Sequence, residues 1–201
     1  MKIRNHFSEL WLASGSPRRI ALLKQIGLDP RVCNHTYHET LTPGLRSPRE
    51  VVITHAKNKA ESVLPDHTGI VVLGADTIVV CADRILGKPR DHSQAEEMLE
   101  LLSGRSHQVY SGIAFSSLSG PTITRYAVST VHFRSLSESE LSFYLKTEEW
   151  TDKAGAYGIQ GYAAAFITRV QGCYFNVVGL PISLAVHTLL THFPGIWPPK
   201  L

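Results

Sequence analysis

The chain has 201 residues, 43% hydrophobic and 18% charged, enough apolar material for one large domain or two small lobes. That balance excludes a disordered chain, and the length excludes a miniprotein stapled by disulfides. Twenty Lys and Arg against seventeen Asp and Glu leave +3, scattered along the chain and not gathered into the basic stripe of a nucleic-acid binder. No apolar run approaches the roughly 18 residues of a membrane span, and the first residues lack the apolar stretch of a signal peptide. Cys33, Cys81 and Cys173 have neither CxxC nor Cys/His spacing and read as free thiols of a reducing compartment. The expectation is a cytoplasmic protein with no nucleic-acid or membrane partner.

In chain order, residues 10–13 read as a strand and residues 14–17 as the turn after it. A helix then starts with Ser16 as N-cap and Pro17 at its first position, and stops at Gly27. Ser47-Pro-Arg-Glu50 is a capping box opening a second helix, to about Val63. Residues 70–73 and 77–81 are β-rich runs around Gly74-Ala75-Asp76, with a turn near Asp83-Arg84. Asp91 and Gln94 cap a third helix, which Gly104 ends. Residues 108–116 and 122–134 read as strands joined at Ser119-Gly120-Pro121. Ser137-Glu-Ser-Glu140 is another capping box. Residues 164–170 and 174–178 suggest a last hairpin around Gln171-Gly172, and a final helix runs from Pro181 to before Pro194. Helices alternating with strands, one pair hairpin-like, favour an α/β domain around a mixed sheet. No linker divides it, so residues 1–201 read as a single domain with a core over 10–192 and an irregular tail over 194–201.

Three stretches could carry chemistry. Ser14-Gly-Ser-Pro-Arg-Arg19 joins a strand to a helix N-terminus, where unpaired N–H groups, two hydroxyls and two arginines suit phosphates. It is neither a P-loop nor a GxGxxG fingerprint, and an ordinary N-cap with solvated arginines is the plain alternative. Asp76 sits inside apolar sequence, where a carboxylate is costly unless paired, metal-bound or catalytic; a turn aspartate is its alternative. Glu39, Asp76 and Asp91 together could bind a hard cation through oxygen, with Lys57, Lys59 and Lys88 as further charges. The third stretch, Thr151 to Gly161, holds three glycines and two alanines in eleven residues, so backbone can approach a ligand there. Gln160 within it offers a donor and an acceptor for a base edge; a merely flexible loop is the alternative. All ten histidines read as structural or surface residues.

Six motifs in sequence carry a resemblance. Leu12-Ala-Ser-Gly-Ser-Pro-Arg-Arg19, Gly74-Ala-Asp-Thr-Ile78, Gly87-Lys-Pro-Arg-Asp91, Leu102-Ser-Gly104 with His107, Asp152-Lys-Ala-Gly-Ala-Tyr-Gly-Ile-Gln-Gly161 and Val178-Gly-Leu-Pro181 resemble the Maf family. Its members are nucleoside triphosphate pyrophosphatases once described as septum formation inhibitors. The resemblance implies a mixed β-sheet with flanking helices, two lobes around a cleft as in inosine triphosphate pyrophosphatases, and a homodimer. It implies hydrolysis of a triphosphate to monophosphate and pyrophosphate with a divalent cation, Mg²⁺ or Mn²⁺. By motif, Asp76 matches the proton acceptor, and Arg18, Thr77 and Gln160 match positions marking the dTTP/UTP branch. The 7-methyl-GTP branch has glutamine after the aspartate and glutamate where Gln160 stands. Ser14, Ser16, Arg18, Lys59 and Lys88 fall at phosphate positions, and Glu39, Asp76 and Asp91 at metal positions. The chain departs from the family with His55 where bacterial members commonly carry leucine, Ser111 in place of a frequent threonine, and Tyr162-Ala-Ala-Ala in place of a more glycine-rich continuation after Gln160. A non-catalytic nucleotide-binding regulator of septum formation, or a pyrophosphatase for purine or modified triphosphates, are the competing readings.

Overall fold

A computed structural model describes residues 7–38, 47–66 and 68–199. In chain order it has β1 (Glu9–Leu12), α1 (Pro17–Gln25), β2 (Arg31–Val32), α2 (Pro48–Glu61), β3 (Ile70–Cys81), β4 (Arg84–Leu86) and α3 (His92–Leu102). There follow β5 (Ser106–Ser117), β6 (Gly120–Phe133), α4 (Glu138–Lys146), β7 (Ile167–Gln171), α5 (Tyr174–Val178) and α6 (Ile182–His192). Two 3₁₀ turns, Ala154–Ala156 and Tyr162–Phe166, precede β7. The strands form one seven-stranded sheet in the order β2-β1-β3-β5-β6-β7, with β4 also on β3. β1 runs parallel to β2 and β3, whereas β3–β4 and β6–β7 are antiparallel. The expected mixed α/β architecture is therefore present.

Local chemistry explains where the helices begin. Ser47 accepts from the Glu50 N–H, Asp91 from the Gln94 N–H, and Ser137 forms a full capping box with Glu140. Ser16 precedes α1 but makes no side-chain cap, leaving Pro17 to set the first turn. Two expectations fail. The β-rich runs around Gly74-Ala75-Asp76 form one unbroken strand of twelve residues, so Asp76 lies within a strand and not in a turn. Residues 174–178 form the short helix α5 and not the second arm of a hairpin. There the Asn176 side chain donates to Val109 O and Ser129 Oγ at 3.0 Å each, and Ser129 also bonds Cys173 N and O. These buried contacts outweigh the β preference of Tyr174, Phe175, Val177 and Val178.

The chain divides into two compact units. The first comprises 1–76, 111–127 and 179–201. Its apolar centre includes Ala13, Ala56, Ala60, Ile70, Val72 and Ala114, mostly small or β-branched residues where α2 meets the sheet. The second comprises 77–110 and 128–178. Its core gathers Leu99 and Leu102 of α3, Tyr144 and Leu145 of α4, and the aromatic rings of Phe133, Tyr157 and Phe166. Among the described residues no helix is long and apolar enough to cross a membrane.

His107 is buried in that second core, with Nε2 2.8 Å from Tyr157 Oη. Burial, helped by nearby His132, lowers it from the ordinary 6.5 to about 4. The folded chain thus resists a proton that the unfolded chain accepts. Stability from this site is full above pH 6.5 and is lost as the pH falls toward 4, a difference of about 3 kcal/mol. In His107→Gln the thermal midpoint should decline less steeply over that window than in the wild type. Parallel declines would place the acid sensitivity elsewhere.

Candidate active site

In the first unit, the register Leu12↔Leu73 brings the chain leaving β1 alongside Gly74-Ala75-Asp76. Ala13 N donates to Leu73 O at 2.9 Å, continuing the pairing, and Ser14 turns away into α1. Ser14 is buried, and its Oγ accepts from Arg19 Nη1 at 3.0 Å and from Ser16 N at 3.3 Å. Arg19 Nε is anchored on Gly179 O at 2.9 Å. The turn is therefore a fixed array of hydroxyl, guanidinium and helix-start N–H groups.

Helix α2 supplies the rest. His55 and Lys59 lie four residues apart and so share one helix face. Two glycines set how deep that face sits. A Cβ on Gly74 would stand 2.1 Å from Ala56 O and 2.7 Å from Ala60 N, and one on Gly112 would stand 2.2 Å from Val52 O. β3 and β5 thus approach the α2 backbone more closely than any other residue type allows. As a result Lys59 Nζ lies 2.6 Å from Asp76 Oδ1, and His55 Nδ1 lies 3.4 Å from Asp76 Oδ2. Asp76 is 4% exposed and Lys59 3%. Burial pushes the Asp76 carboxyl up, but the His55 ring, the Lys59 ammonium and Arg19 outweigh it and hold it well below the usual range. Asp76 is therefore ionised throughout the ordinary pH range.

Of the other expected site residues, Arg18 and Ser16 are half-buried at the start of α1, whereas Thr77, Lys88, Asp91 and Gln160 belong to the second unit. Thr77 follows Asp76 along β3 and points to the opposite face of the strand. Lys88 is exposed on the segment after β4, and Gly155 N donates to Gly87 O at 3.0 Å, tying that segment to the glycine-rich stretch. Asp91 spends one carboxylate oxygen capping α3. Gln160 is exposed, on a loop held by Glu149, whose two carboxylate oxygens accept from Tyr162 N at 3.3 and 3.0 Å. Glu39 lies outside the described residues. Among the described residues no three His, Cys, Asp or Glu side chains converge as a metal site. Mg²⁺ at phosphates needs only one or two protein carboxylates, however. Asp76 Oδ2, which makes no hydrogen bond of standard geometry within the described residues, has lone pairs to offer one.

His55 reads from the sequence as one of the structural or surface histidines, yet in the fold it faces the Asp76 carboxylate. Its spacing of four from Lys59 was the available signal, and only the fold shows which way that face points.

Residues 9–192 match the family model described as Maf-like protein. A dTTP/UTP pyrophosphatase of Bacillus cytotoxicus is 47% identical over 178 residues, covering 89% of this chain and 92% of that one. One from Clostridioides difficile is 44% identical over 183 residues, covering 90% and 94%. Among solved structures, a HAM1 protein from Coxiella burnetii aligns at 19% identity and a TM-score of 0.42, over 63% of this chain and 73% of that one.

Proposed function

Because the chain belongs to the Maf family, we propose that it hydrolyses dTTP and UTP to the monophosphate and pyrophosphate, in the cytoplasm and as a homodimer. The observation that carries the chemistry is the ionised, buried Asp76 held between Lys59 and His55 beside the Ser14–Arg19 turn. Attack of water on the α-phosphorus forms a P–O bond and breaks the bond to the bridging oxygen of the leaving pyrophosphate. The water's proton needs an acceptor, and in this reading the buried carboxylate of Asp76 takes it. Once Asp76 is protonated, the Lys59 charge loses its counter-ion just as charge grows on the phosphates, so its attraction for them rises. Arg18, Ser14, Ser16 and Lys88 bind the phosphates in this reading, arginine by its planar fork. Thr77 joins Arg18 and Gln160 in selecting the nucleotide. A divalent cation, Mg²⁺ or Mn²⁺, held by Asp76 with Glu39 and Asp91, would neutralise phosphate charge.

Base choice falls to Gln160. Its amide can pair with the O4/N3–H edge of uracil or thymine, whereas cytosine reverses part of that pattern. Once the bound base covers the amide, a mismatch of this kind costs on the order of 1–3 kcal/mol, roughly ten- to a hundred-fold in efficiency. Pyrophosphate release from dTTP, UTP, CTP, GTP and 7-methyl-GTP, with Mg²⁺ or Mn²⁺ present, tests the reading. dTTP and UTP should lead, and Gln160→Glu should erode their lead over CTP without unfolding the chain. An unchanged ranking in that variant would remove Gln160 as the base reader, and no release from any of the five would leave a binding role instead.

A further inference from the structure

We propose that His55 is a positioning residue for Asp76, fixing the plane of its carboxylate through Oδ2; the inference rests on the reading of Asp76 as proton acceptor. The torsion that turns a carboxylate about its Cβ–Cγ bond is broad, so the side chain does not define its own plane. Lys59 grips Oδ1 at 2.6 Å, but a lysine ammonium on a four-carbon stem is a point charge with no directional fork. One such contact leaves the second oxygen free to swing. His55 Nδ1, 3.4 Å from Oδ2, supplies the second point.

The nitrogen that faces an ionised carboxylate must carry the proton, because a ring lone pair aimed at that oxygen would be repelled. This fixes His55 with its hydrogen on Nδ1. The ring is itself held. It is 5% exposed, meets the Tyr37 ring edge-on at 5.7 Å between centroids, and rides on a helix whose depth Gly74 and Gly112 set. A separation of 3.4 Å is long for a hydrogen bond, so His55 orients the carboxylate more than it binds it. Its loss should therefore slow the reaction without abolishing it.

The test compares His55→Leu, His55→Asn and His55→Gln in pyrophosphate release from dTTP, alongside unfolding midpoints. Leucine fills the volume and removes the N–H; kcat should fall about tenfold with KM within about twofold. Asparagine returns an N–H near the place of Nδ1 and should recover most of the loss, whereas glutamine, reaching to the place of Nε2, should not. A His55→Leu protein with unchanged kcat would overturn the inference, as would equal recovery by His55→Asn and His55→Gln. A second readout does not depend on activity. The ¹⁵N spectrum of the His55 ring should show the Nδ1-protonated tautomer, and Asp76→Ala should shift that signal. An Nε2-protonated ring indifferent to Asp76→Ala would sink the proposal even if turnover is normal. If the wild type released no pyrophosphate at all, the reading of the activity would fail, and the ring's tautomer alone would decide the role of His55.

Discussion

In Asp76→Asn, pyrophosphate release is expected to fall by about 10²-fold or more, because the amide keeps the shape of the carboxylate and cannot accept the proton. The loss should be chemical, and stability provides the control. Removing one partner of a buried ion pair commonly costs about 3–5 kcal/mol, since the other charge is stranded. Here the amide oxygen of asparagine can still accept from Lys59, so the cost should lie at or below the lower end of that range. Adding Lys59→Met removes the stranded ammonium, and an apolar replacement for a buried pair is often neutral or stabilising. The double variant should therefore regain midpoint over Asp76→Asn while staying inactive. Near-normal turnover in Asp76→Asn would end the assignment of Asp76. Recovery of turnover in the double variant would show that the single variant had merely been misfolded.

The second large effect belongs to a residue with no chemistry. Gly74→Ala would put a methyl group 2.1 Å from Ala56 O, an atom of helix backbone that cannot rotate aside. Strand and helix must separate, at a cost of about 3 kcal/mol or more. The same separation carries Lys59 and His55 away from Asp76, so the fraction that remains folded should also turn over slowly. Gly120→Ala is the matching control, with nothing within 4 Å of the added Cβ, and should stay within about 0.5 kcal/mol of the wild type. Chemical denaturation of both proteins checks the pair. Equal midpoints would mean that α2 can slide over β3 freely.

Much of the fold is legible in the sequence. Capping residues Ser47, Asp91 and Ser137 announce helix starts through bonds made within three residues, so sequence alone suffices. The hairpin linking β5 to β6 is similarly local. Asp76 stood out because a lone carboxylate in an apolar run demands a partner, and the partner proved to be Lys59. What escaped depends on distant chain. The two-residue strand β2 exists only through its pairing with β1, α5 through Asn176 and its bonds to Val109 and Ser129, and the continuity of β3 through its contact with α2. Gly74 reads locally as a strand breaker; it is retained in the strand because a helix backbone occupies the place of its side chain. His55 was missed for the same reason. Its helix face can be computed from spacing, but the carboxylate opposite belongs to another element.

The loop around Gln160 carries one more implication. Its path is set by Glu149 gripping the main-chain N–H of Tyr162, and Gly161 packs so tightly on that carboxylate that a Cβ would come within 2.2 Å of it. The side chain at 160 points out to solvent and holds none of this in place. Under the proposed function, frame and reader are therefore separate parts, and the residue proposed to read the base can be exchanged while the loop keeps its form. If Gln160 reads the base as proposed, a change of nucleobase needs only one exposed amide replaced, with no repacking of the core. Laboratory selection at position 160, with 149 and 161 left untouched, would explore new bases at little risk to folding.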